Sequence, residues 1–118
     1  MRAKDALGIY GEEVAVRHLE EAGWTILARN WRCEAGELDV VALDGEVLVF
    51  CEVKTRSDLG FGSPLEAVSR AKALRQRRLA ARWLDSHGGR TREIRFDVVG
   101  VLSPRRGGPV VEHVRGAA

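Results

Sequence analysis

"GELDVVALDGEVLVFCEVK", residues 36–54, places two apolar runs on either side of Asp44-Gly45. An Asp-Gly step in that setting is a strong hairpin signal. The segment therefore predicts two antiparallel strands. The second half is the most apolar part of the chain, with Val47, Leu48, Val49, Phe50, Cys51 and Val53, yet it also carries Glu52 and Lys54. A symmetric turn on Asp44-Gly45 opposes Val41 to Leu48, Asp39 to Phe50 and Glu37 to Glu52. Opposed residues share a face, and side chains alternate along each strand. One face then carries Leu38, Val40, Ala42, Val47, Val49, Cys51 and Val53, all apolar and expected in the core. The other carries Glu37, Asp39, Val41, Leu48, Phe50, Glu52 and Lys54.

That second face is apolar near the turn and charged at its far end. In this register Asp39 and Glu52 are diagonal neighbours, with Cα atoms ~7–8 Å apart. Two carboxylates so placed can converge on one cation, and hard oxygen ligands suit Mg²⁺ or Mn²⁺. Glu37 directly across from Glu52 would be repelled unless a cation or Lys54 neutralised the pair. The ordinary alternative is a polar sheet face with a Glu52–Lys54 or Asp39–Lys54 salt bridge. The apolar strand, with an acidic strand beside it in matching register, favours a functional site.

Working outward, residues 5–22 predict a helix with Asp5 as N-cap and Gly23 as stop. Helical spacing groups Leu7, Val14, Ala15, Ala22 and, less centrally, Leu19. Glu13, Glu20 and Arg17 fall opposite, and Glu12 lands at the border of the apolar stripe. "WTILARNWR" (24–32) predicts a strand. "TRSDLGFG" (55–62) predicts a loop. Ser63 as N-cap, Pro64 at the first helical position and Glu66 at the third form a capping box, opening a second helix that runs to about Ser86. "EIRFDVVGVL" (93–102) predicts a further strand. Residues 103–109 predict a turn, "VVEHV" (110–114) a short edge strand, and 115–118 a frayed end. The order is α-β-β-β-α-β-β, an α/β layer with a mixed sheet.

The second helix has an apolar face centred on Leu65, Val68, Leu79, Ala80 and Trp83, with Lys72 and Gln76 in its middle. Polar groups there need partners. The charged end of the sheet or a substrate phosphate would supply them; a snorkelling Lys stem and a hydrogen-bonded Gln are the plainer account. From Arg70 to Arg82 the helix carries six basic residues and no acidic one, either a phosphate-binding surface or a solvated face.

With 118 residues, of which 45% are hydrophobic and 31% charged, the chain has enough apolar material for a single domain with its own core. A net charge of +2 excludes nothing about partners. The two cysteines, Cys33 and Cys51, are expected as thiols, because nothing suggests export. No membrane-span pattern or leader-like apolar region occurs, so a cytoplasmic protein without membrane partners is expected.

The ordered set "GELDVVA" and "FCEVKTR" resembles the PD-(D/E)xK nuclease signature. With "YGEEVAVRHLEEAGWTILARNWR", "FGSPLEAVSRAK" and "RFDVVGV", nearly the whole chain resembles the YraN-like uncharacterised bacterial family. That family is related to archaeal Holliday junction resolvases and shares the restriction-endonuclease-like fold. The resemblance implies a restriction-endonuclease-like core and a metal-dependent endonuclease. Its substrate would be DNA, branched as in a Holliday junction or single-stranded. It implies that Asp39 and Glu52 are the metal-ligating carboxylates, Lys54 the lysine at the scissile phosphate, and Glu12 the helix-borne acidic residue of the resolvase-type site. Lys72 and Gln76 resemble polar positions that some members carry on the following helix. Leu38 stands where the superfamily's name has proline. Because resolvase relatives act on two strands, a homodimer is also implied.

The expected chemistry is phosphodiester hydrolysis with Mg²⁺ or Mn²⁺. Asp39, Glu52, the Val53 carbonyl and Glu12 would hold the cation. Lys54 would orient water or stabilise developing charge. Arg29, Arg32, Arg56, Arg75 and Arg78 are candidate phosphate contacts, and Glu37 is a candidate either for tuning the site or for simply pairing with a basic neighbour. A non-catalytic nucleic-acid binding module and a protein-interaction domain are the competing readings.

Overall fold

The computed structural model describes residues 5–57, 69–88, 93–104 and 106–117. Its elements are α1 (Ala6–Glu21), β1 (Thr25–Cys33), β2 (Gly36–Asp44), β3 (Val47–Arg56), α2 (Arg70–His87), β4 (Ile94–Leu102) and β5 (Val110–Val114). Among the described residues the strands form a five-stranded sheet in the order β1-β2-β3-β4-β5. Only β3 and β4 run parallel, across the crossover that contains α2. The element order and mixed sheet are those the sequence predicts. No helix among the described residues is long and apolar enough to cross a membrane.

Each sheet face buries one helix. On one face, Ala15, Val16 and Leu19 of α1 pack with Trp24, Val40, Ala42, Val49, Cys51, Val99 and Val101. On the other, Leu79, Ala80, Trp83 and Leu84 of α2 pack with Leu38, Val41, Leu48 and Phe50. Phe50 stacks on Phe96 and meets Trp83 edge-on. Each large apolar side chain buried this way contributes about 1.5–3 kcal/mol relative to exposure. Cys51 is a buried thiol and Cys33 is also unpaired, as expected.

The hairpin turn sits one residue later than predicted. Asp44 pairs with Val47, and Gly45-Glu46 form the two-residue loop. Gly45 has φ +59°, the value a tight hairpin demands at its first loop residue, which glycine reaches without strain. The register is therefore shifted by two residues: Val41 faces Phe50 rather than Leu48, and the ladder ends at Val40–Cys51. A two-residue shift preserves the alternation of faces, so the apolar set from Val40 to Cys51 lies as predicted.

Leu38 departs from that set and packs under α2. β1 breaks its alternation at the same level. Asn30 adopts φ 51°, a left-handed conformation that asparagine tolerates better than most residues. Ala28 and Trp31, three apart, consequently share the α2 face. A second irregularity lies between Ile26 and Ala28. Both strands thus change face near Asn30 and Asp39, at the charged end of the hairpin.

α1 is capped by Asp5, whose Oδ1 accepts the Gly8 N–H at 2.8 Å. Its buried stripe is Gly11, Glu12, Ala15, Val16 and Leu19. Val16 thus takes the place expected of Ala22, which is the exposed C-cap residue. The rotation follows from close contact at Gly11. A Cβ there would lie 1.9 Å from Thr55 Oγ1 and 2.7 Å from Thr55 Cβ. Gly11→Ala is therefore expected to lift α1 off β3 and to destabilise the fold by about 1–3 kcal/mol. Urea denaturation checks this, and Thr55→Gly in the same chain should recover most of the loss. Equal stability of Gly11→Ala and wild type would refute the contact.

Three smaller expectations change. Thr55 and Arg56 belong to β3, because parallel pairing with Val101 and Leu102 holds them in the sheet. Ser69 is extended (φ −93°, ψ 165°) and caps α2 by accepting the Lys72 N–H, so one unbroken helix from residue 63 is ruled out. Ser63, Pro64, Leu65, Glu66 and Val68 lie outside the described residues. The C-terminal turn is not frayed, since the Gly116 N–H bonds Asp97 and the Ala117 N–H bonds the Phe96 carbonyl.

Candidate functional site

The hairpin opens where its ladder ends. Beyond Val40–Cys51, the Asp39 carboxylate accepts the Val53 N–H at 2.9 Å. A side chain thereby takes a backbone donor that a neighbouring strand would otherwise satisfy. β2 and β3 separate at this point, and an open cleft of about 700 Å³ forms. Its floor includes Glu37 and Asp39 from β2, and Glu52, Val53, Lys54, Thr55 and Arg56 from β3. Asp5, Leu7 and Gly8 of the α1 start form one wall, and Arg75 of α2 another. The close approach at Gly11 is what brings that α1 terminus to the cleft.

The expected site residues fall into two groups. Asp39, Glu52 and Lys54 share the cleft with Glu37, Arg56 and Arg75. Lys72 reaches the same charges, with its Nζ 3.2 Å from Glu52 Oε1. The polar group set into the apolar face of α2 is thus satisfied by the charged end of the sheet. Gln76 lies one turn further along, beside Glu52, Lys72, Phe50 and Phe96. Burial lowers the Lys54 pKa, and the adjacent Lys72 lowers it further, against the attraction of Glu52 and Asp39.

Glu12, Arg29 and Arg32 do not line the cleft. Glu12 is 2% exposed, whereas its border position suggested a reach to the sheet edge without burial. Asn30 Nδ2 donates to its Oε1 at 2.6 Å, and Arg29 Nη2 lies 3.4 Å away. These donors make a buried carboxylate tolerable. Arg29 also donates to Glu13 at 2.7 Å, and these partners raise its pKa. Arg32 pairs with Glu37 at 2.7 Å. This pair neutralises the acid that the shifted register removes from its place opposite Glu52. On α2, Arg78 is exposed, Arg77 lies over the Phe96 ring at 5.1 Å and Arg82 pairs with Glu34.

Among the described residues no three His, Cys, Asp or Glu side chains gather as a ready-made metal site. A divalent cation here would rest on Asp39, Glu52 and the Val53 carbonyl, completed by water or substrate oxygens. That donor set is all hard oxygen, and Mg²⁺ is commonly held by one or two carboxylates plus phosphate. The residues therefore fit such an ion.

One polar cluster escaped the sequence reading. Asp97, with a fully buried side chain, accepts from Arg95 Nε at 2.9 Å and Nη2 at 3.0 Å and from the Gly116 N–H at 3.0 Å, and it lies 2.8 Å from His113 Nε2. Arg95 continues to Asp44 at 3.1 Å. An aspartate inside "RFDVVGV", two residues from Arg95, was a visible signal, but its other partners come from β5 and the C-terminal turn, which carry no motif.

The family model described as "Uncharacterised protein family UPF0102" matches residues 11–101. A UPF0102 protein of Beutenbergia cavernae is 63% identical over 116 residues, covering 98% of each chain. One from Streptomyces griseus is 59% identical over 119 residues, covering 100% of each. One from Nocardioides is 59% identical over 113 residues, covering 96% of this chain and 91% of the relative. The family model over residues 11–101 and relatives aligned over nearly the whole chain agree with the resemblance read from the motifs, and the chain belongs to the UPF0102, or YraN-like, family.

Proposed function

We propose that the protein is a metal-dependent endonuclease with a restriction-endonuclease-like core, hydrolysing phosphodiester bonds in DNA that is branched or single-stranded. The observation that carries this reading is the meeting of Asp39, Glu52 and Lys54 in one open cleft that Arg56 and Arg75 also line. Bound Mg²⁺ or Mn²⁺ would polarise the phosphate and lower the pKa of an attacking water. Asp39 and Glu52 would anchor the ion. Lys54, half-buried in the cleft beside both carboxylates, would face the charge that develops on the phosphoryl oxygens. Arg56 and Arg75 would bind backbone phosphates, which position the nucleic acid without reading its sequence. Glu12 would act from behind, bracing Asn30 at the point where β1 and β2 change face.

A second reading, a nucleic-acid binding module without catalysis, is favoured by one observation: Glu52 already has a lysine partner. Two measurements separate the readings. The purified protein is expected to cut junctions, flaps or single strands in Mn²⁺ or Mg²⁺, and calorimetry is expected to detect Mn²⁺ binding that Asp39→Asn removes. Absence of cleavage across those substrates and RNA, with DNA binding indifferent to metal and to Asp39→Asn, would establish the module instead.

A further inference from the structure

Lys72 occupies an unusual place for a cation. It lies in the first turn of α2, where the helix dipole favours acids, and that turn contains no acid. Ser69 caps the helix by accepting the Lys72 N–H at 3.1 Å, so the backbone at this position is fixed. The side chain then crosses to β3 and places Nζ 3.2 Å from Glu52 Oε1, with side-chain exposures of 19% and 12%. The unfavourable position at the helix start is thus offset by an ion pair shielded from water. Lys54 stands beside the same pair.

Lys54 and Lys72 together balance the two carboxylates, Asp39 and Glu52, without a metal. A divalent cation on Asp39 and Glu52 would add two further charges within a few ångströms of both ammonium groups. Of the two, Lys72 is the one whose Nζ contacts a Glu52 oxygen. Lys72 hangs on four methylenes from a neighbouring element and can withdraw.

We propose that Lys72 is a resident counter-ion of Glu52 that a divalent cation must displace, and that the released ammonium then meets a substrate phosphate oxygen. This rests on the metal-site reading of the cleft. It makes the site self-neutralising without metal and couples cation entry to a new phosphate contact from α2. Lys72 is then a positioning residue for the cation and a binding residue for DNA.

Mn²⁺ titration calorimetry on the wild type, Lys72→Met, Lys72→Arg and Asp39→Asn tests it. Methionine keeps the apolar stem and removes the charge, so the helix packing survives. Lys72→Met is expected to bind Mn²⁺ about tenfold more tightly than wild type, because the competitor is gone. Lys72→Arg is expected to stay near wild type, since it keeps the competing charge. Wild-type binding that Asp39→Asn abolishes, with Lys72→Met equal or weaker, overturns the counter-ion proposal and leaves the metal site standing. No Mn²⁺ binding by either wild type or Lys72→Met overturns both.

Discussion

Lys54→Met is expected to lower the DNA cleavage rate by about 10²–10³-fold while leaving the melting temperature unchanged or higher. Both halves follow from where Lys54 sits. Lys54 lines the cleft beside Asp39 and Glu52, where a phosphoryl group would develop negative charge. Removing a preorganised positive group at such a point costs transition-state stabilisation that bulk water does not replace. Burial and the nearby Lys72 meanwhile disfavour the charged form in the folded chain, so its pKa lies below the usual lysine value. A group whose charge is disfavoured by folding does not hold the fold together, and methionine matches its length without that penalty. Single-turnover cleavage and thermal unfolding on the same preparations provide the check. A cleavage loss matched by a lower melting temperature would mean that Lys54 is structural, and an unchanged rate would remove it from the chemistry.

The fold was legible because local signals and long-range pattern agreed in most elements. Asp5 and Gly23 bound α1, and the Asp-Gly step marked the hairpin. Alternation assigned faces correctly from Val40 through Cys51. The register failed for a specific reason: two loop frames fit "ALDGEV", and the choice between them depends on which residue must take positive φ. Glycine decides it, which moves Asp44 into the ladder and brings Asp39 to the level where its carboxylate can take the Val53 N–H. The switch of Leu38 was not legible, because it accompanies a backbone irregularity at Asn30 on another strand.

The site shows the same division. Asp39, Glu52 and Lys54 were readable because charges on an apolar strand are conspicuous. Lys72 was readable as a polar group in the wrong part of a helix. Glu12 was placed correctly along α1, but its burial depends on Asn30 and Arg29, and no helical periodicity encodes those partners. Arg29 and Arg32 looked available for phosphates because sequence counts charges without their counter-ions. The acidic residues that engage them, Glu12, Glu13 and Glu37, come from other positions along the chain.

Asp97→Ala is expected to cost about 3–5 kcal/mol at neutral pH, the range for breaking a buried ionic network by removing one partner. The side chain is fully shielded from solvent and gathers donors from β4, β5 and the C-terminal turn. Alanine would orphan the Gly116 N–H and leave the Arg95 guanidinium, over Trp24 at 5.4 Å, with Asp44 as its remaining acid partner. Burial pushes the Asp97 carboxyl pKa up, but the hydrogen bonds from His113, Arg95 and Gly116 outweigh it and hold the value at about 2, against an ordinary 3.8. A depressed folded-state pKa means that the unfolded chain takes up the proton first as pH falls. The ionised carboxylate therefore contributes its full stability above about pH 4, roughly 2 kcal/mol by linkage, and loses it as pH falls through about 2. The stability difference between wild type and Asp97→Ala, from urea denaturation at successive pH values, should accordingly narrow between pH 4 and pH 2. A difference under 1 kcal/mol at pH 7, or one that does not change over that interval, would show that Asp97 does not hold the C-terminal turn against the sheet. The Asp97 side chain bonds Arg95, His113 and Gly116, none of which lines the cleft, so any cleavage activity surviving in folded Asp97→Ala should keep the wild-type metal requirement.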